Sequence, residues 1–280
     1  MSIKSTTTSQ PASGQMHRPW DDFDGLGYFY KFRPKYPPRI AEQLRSLLRD
    51  CKGGRIVEVG AGTGLFTRSL AAAFGSSFQI SAVEPNQDMR RHAESETSTS
   101  MRVHYVDGVA EHLQGVDSSA QLVTAASAVH RFNRPAFYRE AQRVLAPGGV
   151  LAIVQYEPHD RGSAFADGFL SVIEAALPGY RRHRHSRPEG GYSEIDIADE
   201  LLAEAGLKDV RREAFLFFEL IDRERFENRA RSFTIVQKAI CRAGENAILT
   251  ALGTLFEQHR DSDALVEMPY EAEIITARRA

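Results

Sequence analysis

Val57-Glu58-Val59-Gly60-Ala61-Gly62-Thr63-Gly64 ends a short β-type run in glycines, and a helical pattern follows over residues 65–74. Glycine at a strand-to-helix turn lets the backbone turn sharply and approach a ligand closely. A dinucleotide fingerprint would have a further glycine where Leu65 stands, and it would place a pyrophosphate at the helix start. Glu58 is ill suited to that anion and suits a ligand with an ammonium group. A tight turn that binds no ligand is the alternative interpretation.

Strand patterns and helical patterns alternate on both sides of this turn, which predicts βαβ units and a mainly parallel sheet with right-handed crossovers. The alternation ends after Glu157. The helical stretches that follow form two insertions, one before and one after the predicted strand over 210–220. They are expected to pack together over the carboxyl ends of the sheet, where such folds bind ligands. Strands are predicted over 56–59, 78–83, 101–106, 121–126, 150–155, 210–220 and 268–277, the last antiparallel, and helices over 38–48, 65–74, 135–145, 162–177, 193–205 and most of 222–259.

Composition narrows the class of protein. The chain has 280 residues, of which 42% are hydrophobic, and a formal net charge of -2. A nearly neutral balance does not suggest a nucleic-acid or membrane-surface partner. The two cysteines, Cys51 and Cys241, fit a reduced, cytoplasmic protein better than a disulfide framework. No apolar run is long enough to span a bilayer, the N-terminus lacks a signal-peptide pattern, and no metal site is predicted.

Glu84 stands at the end of the second predicted strand, where an acid accepts hydrogen bonds from a ribose diol in related folds. Alternatively, it is a helix N-terminal acid ahead of Pro85, stabilised by the helix dipole. Met89 follows about one turn later. It either packs against an adenine face or belongs to the core.

Five segments taken together resemble class I S-adenosylmethionine-dependent methyltransferases, most of all the group of ubiquinone-biosynthesis and trans-aconitate methyltransferases. They are residues 58–64, 84–86, 108–113, 123–132 and 143–149, and the resemblance covers roughly residues 20–158. It implies an α/β fold with a Rossmann-like, mainly parallel seven-stranded sheet flanked by helices. Together with the composition and pattern of the rest of the chain, it predicts four segments: a Ser/Thr-rich, disordered tail over 1–19, an aromatic lid and helix over 20–48, the cofactor-binding core over 49–158, and cap insertions with the C-terminal strands over 159–280.

The resemblance also assigns a cofactor, S-adenosylmethionine, and the residues that hold it. Glu58 and the neighbouring glycine backbone would hold the methionine amine and the adenosine, and Glu84 the ribose hydroxyls. Val109 departs from the pattern, because many relatives carry an acid there for the adenine amino group; Asp107 or a backbone carbonyl would replace it. The full implied set is Glu58, Gly60, Ala61, Gly62, Thr63, Glu84, Pro85, Met89, Asp107, Gly108, Val109, Ala110, Ala126 and Ser127.

The catalytic candidates are His130, Tyr28 and Arg33. Relatives commonly carry His-Trp-Phe and then an acid, whereas this chain has Arg131 in the Trp position and Asn133 in the acid position. His130 is either a general base or a histidine that orients its loop through a backbone hydrogen bond.

The lid, residues 20–36, contains seven large aromatic side chains. Placed over the cofactor, these rings would favour the positive sulfonium, and Arg33 would pair with the cofactor carboxylate. The alternative is a lid that packs through its aromatic rings without touching a ligand. The basic run over 181–187 either recruits an anionic substrate or is a solvated loop.

Three functions are consistent with these residues. The first is methyl transfer to a small molecule. The second is an intramolecular cyclisation of the cofactor, as in azetidine-2-carboxylate synthases, with release of methylthioadenosine; the altered 130–133 stretch and the aromatic lid keep it open. The third is cofactor binding without catalysis. The acceptor and the oligomeric state stay open.

Overall fold

The computed structural model describes residues 18, 20–186, 192–193 and 196–280. Apart from Arg18, the tail expected over 1–19 lies outside the described residues, as does Arg187 of the basic run. The strands are β1 (Gly54–Val59), β2 (Phe78–Val83), β3 (Val103–Val106), β4 (Ala120–Ala126), β5 (Leu145–Pro158), β6 (His185–Ser186), β7 (Tyr192–Ser193), β8 (Leu207–Ile221) and β9 (Val266–Arg279). The helices are α1 (Gly27–Tyr30), α2 (Pro38–Leu47), α3 (Leu65–Phe74), α4 (Gln87–Glu96), α5 (Arg134–Val144), α6 (Ala164–Ala176), α7 (Ile197–Ala203), α8 (Arg223–Arg231), α9 (Thr234–Ala243) and α10 (Glu245–His259).

Seven strands form one sheet in the order β3-β2-β1-β4-β5-β9-β8. Strands β1 to β5 run parallel, and β9 lies antiparallel between β5 and β8. The predicted α/β fold with a mainly parallel seven-stranded sheet is therefore confirmed. The strand order reverses between β1 and β4, and such a switch point opens a crevice at the carboxyl ends of the strands.

The central strands of the sheet are buried on both faces, whereas the edge strand β8 is largely exposed. Hydrophobic side chains of α5 and α7 cover one face, and those of α2 and α3 cover the other. Because the central strands are covered on both sides, they are almost continuously apolar, as in Val150–Val154 of β5, where every residue is at most 1% exposed.

The cap, which consists of α6, α8, α9 and α10, has a hydrophobic cluster of its own. Phe165 and Phe169 of α6 pack against Phe226 of α8. The prediction that the two insertions pack together is thus confirmed. None of the described helices is both long and apolar enough to cross a membrane.

The lid is tied to the rest of the fold by hydrogen bonds at several points. Asn86 donates its side-chain amide to the backbone oxygen of Trp20 and to Asp24, at 3.0 and 2.7 Å. The hydroxyls of Tyr36 and Ser127 lie 3.1 Å apart. Tyr36 itself belongs to the hydrophobic core beside Phe66. Its end of the lid is therefore an integral part of the domain.

Candidate active site

A cavity of about 660 Å³ opens at the carboxyl ends of β1, β4 and β5. The glycine turn after β1 forms its floor, and the segment after β4 forms one side. The lid and the cap helices α6 and α9 cover it. One continuous cavity therefore borders the strand ends, the lid and the cap.

The glycine turn leaves backbone exposed to this cavity. Gly62 has a positive φ of 56°, and a Cβ built on it would have no atom within 4 Å. Gly60, with a φ of 72°, faces a different constraint, because its Cβ would lie only 2.6 Å from that of Ala128. Gly60 therefore allows the β1 and β4 loops to meet, whereas Gly62 leaves room for a ligand.

Glu84 is buried and fixes this turn. One carboxylate oxygen accepts from the N–H of Gly62 at 2.8 Å and the other from the N–H of Asn86 at 2.9 Å. Burial raises the pKa of Glu84, although these two hydrogen bonds and nearby Arg90 oppose the rise. Each oxygen keeps acceptor capacity for a further donor. The carboxylate can therefore accept from a pair of ligand hydroxyls while it holds the glycine turn.

Glu58 is 1% exposed, and its Oε2 atom has no hydrogen-bond partner among the described residues. Burial raises its pKa to about 8, against the opposing effects of Thr67 and Arg68. The buried hydroxyl of Thr63, on the same cavity wall, also lacks a partner among the described residues. Unpartnered buried polar atoms at a cavity wall are suited to a polar or cationic ligand group.

The structure brings together all but one of the residues implied for the cofactor. Asp107 is the exception: its side chain is 74% exposed and forms an ion pair with Arg90 at 3.0 Å. The side chain of Asp107 is therefore not among those that line the cavity, which leaves a backbone carbonyl as the expected replacement for an acid at Val109. The residues that line the cavity are Glu58, Gly60, Ala61, Gly62, Thr63, Glu84, Pro85, Met89, Gly108, Val109, Ala110, Ala126 and Ser127.

The catalytic candidates divide in the same way. His130 and Arg33 line the cavity, whereas Tyr28 lies outside it. Tyr28 is 53% exposed, and the ammonium nitrogen of Lys31 lies over its ring, 3.8 Å from the ring centroid. Residues two positions apart on a helix point to nearly opposite sides, so Tyr28 and Tyr30 of α1 diverge. Tyr30 is the one that lines the cavity. The sequence predicted Tyr28 at the reacting group, and the structure corrects this, because Tyr28 lies outside the cavity.

Arg33 lies between the lid and the cap. Its guanidinium stacks over the rings of Phe233 and Tyr30, 3.9 and 4.8 Å from their centroids. One terminal nitrogen donates to the backbone oxygen of Ser232 at 2.9 Å, and the buried Nε has no partner among the described residues. A donor held in this way is available to an anionic group in the cavity.

Sequence reasoning missed the contributions of the cap. Thr234, Ile235, Lys238 and Arg242 of α9 line the cavity. Their spacing of about four residues was the available signal, since it places side chains on one helix face. Arg131, noted only as a departure from the family, donates to Asp22 of the lid at 2.9 Å and to Thr234 at 3.2 Å. It joins the core, the lid and the cap beside His130.

Comparisons with known proteins agree with this geometry. Residues 56–149 match a family described as a methyltransferase domain. A Dictyostelium discoideum protein assigned as a methyltransferase is 33% identical over 137 residues, covering 49% of each chain. The ubiquinone/menaquinone biosynthesis C-methyltransferase UbiE of Rhodopseudomonas palustris is 30% identical over 152 residues, covering 53% of each chain. The chain thus spans about half the length of the curated relatives it matches.

Two solved structures share the fold over most of the chain. One, from Anaeromyxobacter dehalogenans and assigned as a type II methyltransferase, has a TM-score of 0.63 and 22% identity, covering 88% of this chain and 97% of that one. The other, the [4+2]-cyclase SpnF, has a TM-score of 0.50 and 19% identity, covering 93% of both.

Proposed function

We propose that this chain, whose residues 56–149 match a methyltransferase domain, transfers a methyl group from S-adenosylmethionine to a small molecule. One observation carries the proposal: a single cavity has two chemically different ends. Buried carboxylates and exposed glycine backbone form one end, and the cap helices form the other. A donor and an acceptor can therefore be held in the same water-poor space.

The residues at the sheet end fit the cofactor. The Oε2 atom of Glu58, which has no partner among the described residues, suits the ammonium group of the cofactor, and Glu84 suits the ribose hydroxyls. Buried Met89 and half-buried Val109 suit the adenine faces, and the Nε of Arg33 suits the cofactor carboxylate. When bound, the cofactor supplies an activated methyl group.

The chain itself then contributes alignment and the exclusion of water, which are the main requirements of such a transfer. Trp20, Phe23 and Tyr30 of the lid line the cavity, and aromatic faces favour a neighbouring cation. His130 lies on the single 3-10 turn Val129–Arg131 after β4 and lines the cavity; in this proposal it accepts a proton from an acceptor oxygen or nitrogen. The near-neutral net charge supports a small molecule rather than a nucleic acid as the acceptor.

Binding of S-adenosylhomocysteine at pH 7 is expected to release close to one proton. With a pKa of about 8, Glu58 is mostly protonated before binding, and an ammonium partner favours its charged form. Calorimetric titration in buffers of different ionisation enthalpy measures the release directly. Glu58→Gln removes it, and a binding enthalpy independent of the buffer in the wild-type protein would contradict the assignment.

The same group predicts how stability changes with pH in the ligand-free protein. The pKa in the fold lies above the ordinary value of 4.5, so between these values the folded state holds a proton that the unfolded state has lost. Stability therefore falls as pH rises from about 4.5 to about 8. Thermal unfolding at a series of pH values should show the wild-type protein losing stability relative to Glu58→Gln between about pH 4.5 and pH 8. If the stability of the two proteins changed with pH in parallel, the prediction would be wrong.

Glu84→Gln is expected to weaken binding of S-adenosylhomocysteine about ten- to a hundredfold. Glutamine keeps only one acceptor oxygen. Its NH2 group would then face the N–H of either Gly62 or Asn86, donor against donor, and the contact to the ribose would weaken. Calorimetry gives the affinity, and circular dichroism checks the fold. Glu94→Gln, an exposed position on the same α4, is the matched control and should bind like wild type.

The function is tested by incubating purified protein with methyl-labelled S-adenosylmethionine and a broad panel of metabolites. A labelled product together with S-adenosylhomocysteine, formed only when an acceptor is present, supports the proposal. If the protein binds the cofactor tightly but yields no labelled product across the panel, methyl transfer is refuted. Binding without any turnover would favour the non-catalytic alternative.

Cyclisation of the cofactor is the second candidate, and the buried carboxylate of Glu58, whose Oε2 atom has no partner among the described residues, favours it. This group would hold the cofactor amine and accept its proton, while the nitrogen bonds to the γ-carbon and the bond from that carbon to sulfur breaks. The fold is not restricted to methyl transfer, since SpnF is a [4+2]-cyclase. Mass spectrometry of protein and cofactor without an acceptor separates the two. Methylthioadenosine with azetidine-2-carboxylate supports cyclisation.

A further inference from the structure

We propose that the acceptor is an amphipathic anion, with an apolar body against α6 and a negatively charged group at the outer end of the cavity beside Lys238 and Arg242 of α9. This inference rests on the proposed function and names its substrate class.

The wall formed by α6 is apolar. Phe169, Leu170, Ile173 and Leu177 line the cavity at helical spacing, so that they form one stripe. The first three are at most 6% exposed and belong to the cap cluster. A surface of this kind stabilises a hydrocarbon or aromatic body by removing it from water.

Helix α9 gives a length scale for the acceptor. The contact between Thr234 and Arg131 places the start of α9 beside the loop that carries His130. Lys238 lies one turn further and Arg242 two turns further, about 6 and 12 Å along the helix axis. The charged group of the acceptor is therefore separated by roughly this distance from the atom that reacts near His130.

The two cations are available to a ligand. Lys238 and Arg242 are exposed at the cavity wall, and neither forms an ion pair with any part of the chain that the structure describes. A cation near the C-terminus of a helix stabilises the helix dipole, which accounts for Arg242 but not for Lys238 in the middle of α9.

The described part of the basic run adds positive charge to the same end. Arg182 anchors this segment to α6 through Asp167, Ser171 and Glu174. Behind this anchor, His183 and Arg184 line the cavity. Two acids lie beside His183, Asp160 at 3.2 Å and Glu157 at 3.8 Å. Among the described residues, the two exposed cations of α9 lie on the same wall as His183 and Arg184, and this positive charge favours a negatively charged ligand.

The test is binding of straight-chain carboxylates, from butanoate to decanoate, to protein saturated with S-adenosylhomocysteine. Each acid is paired with its neutral amide, and alkyl phosphates of the same lengths distinguish carboxylate from phosphate recognition. We expect the best acid or phosphate to bind on the order of tenfold more tightly than its amide at low salt. The preference should disappear in Lys238→Gln/Arg242→Gln.

The control variant is Arg225→Gln, which removes a partly buried cation of the cap outside the cavity. It should keep the preference, and all variants should keep the affinity for S-adenosylhomocysteine. Equal binding of anions and amides, a preference that survives the double substitution, or no binding of any anion would overturn the inference. Failure to bind S-adenosylhomocysteine would instead refute the proposed function, so the two failures are distinguishable.

Discussion

Gly62→Val is expected to abolish detectable binding of S-adenosylmethionine, a loss of more than about a hundredfold in affinity. A β-branched residue is a strong outlier at the positive φ of Gly62. Its side chain would also extend into the open space at the cavity floor, where a ligand must contact backbone. Strain and lost volume act together, so this effect should exceed that of Glu84→Gln. Calorimetric titration measures it.

Gly148→Val separates the two causes. Gly148 also has a positive φ, of 74°, and a Cβ there would likewise have no atom within 4 Å, but it lies away from the cavity. The control should therefore lose stability in thermal unfolding yet bind the cofactor normally. If folded Gly62→Val bound as tightly as wild type, the glycine turn would not be the cofactor loop.

Arg229→Met is expected to lower the free energy of unfolding by about 3–5 kcal/mol, the usual cost of breaking a buried ion pair. Arg229 is 2% exposed and pairs with Glu219. It also donates to the hydroxyl of Tyr270 and to the backbone oxygen of Phe32 in the lid, both at 2.8 Å. The variant leaves these acceptors without their donor. Urea unfolding gives the free energy.

Because Arg229 holds the lid on the cap, the variant should also be cleaved faster within residues 20–36 by a protease. Arg225→Met, which changes a partly buried arginine on the same α8, should have neither effect. Adding Glu219→Leu to Arg229→Met should recover part of the stability, because the stranded carboxylate is removed. A change below about 1 kcal/mol in the single variant would mean that the pair is solvent-screened.

The elements of the core follow from local pattern. The predicted helix over 65–74 and the predicted strand over 78–83 coincide with α3 and β2. Strand β5 is longer than the predicted 150–155. The prediction began at 150 because Pro147-Gly148-Gly149 is typical of a break between elements. In the structure a register shift against β4 absorbs these residues, and pairing resumes at Val150. Local residue preferences cannot show such a shift, since the partner strand supplies it.

The cofactor end of the site was also accessible from sequence. Glu58, Gly62 and Glu84 stand where their strands end, and parallel strands bring these ends to the same edge of the sheet. Tyr28 and Asp107 were placed wrongly. A short helix has no periodicity long enough to show its inner face, and the pairing of Asp107 with Arg90 depends on how α4 packs beside β3.

The sequence by itself determined the α/β class, the glycine turn and the acids beside it, because these depend on strand periodicity and on neighbours within a few residues. Only the tertiary structure decided which lid residues face the cavity, that Arg131 joins Asp22 to Thr234, and that Lys238 and Arg242 stand at the outer end. These contacts join residues more than a hundred positions apart. Their geometry is set by packing of the cap on the sheet, which no local preference encodes.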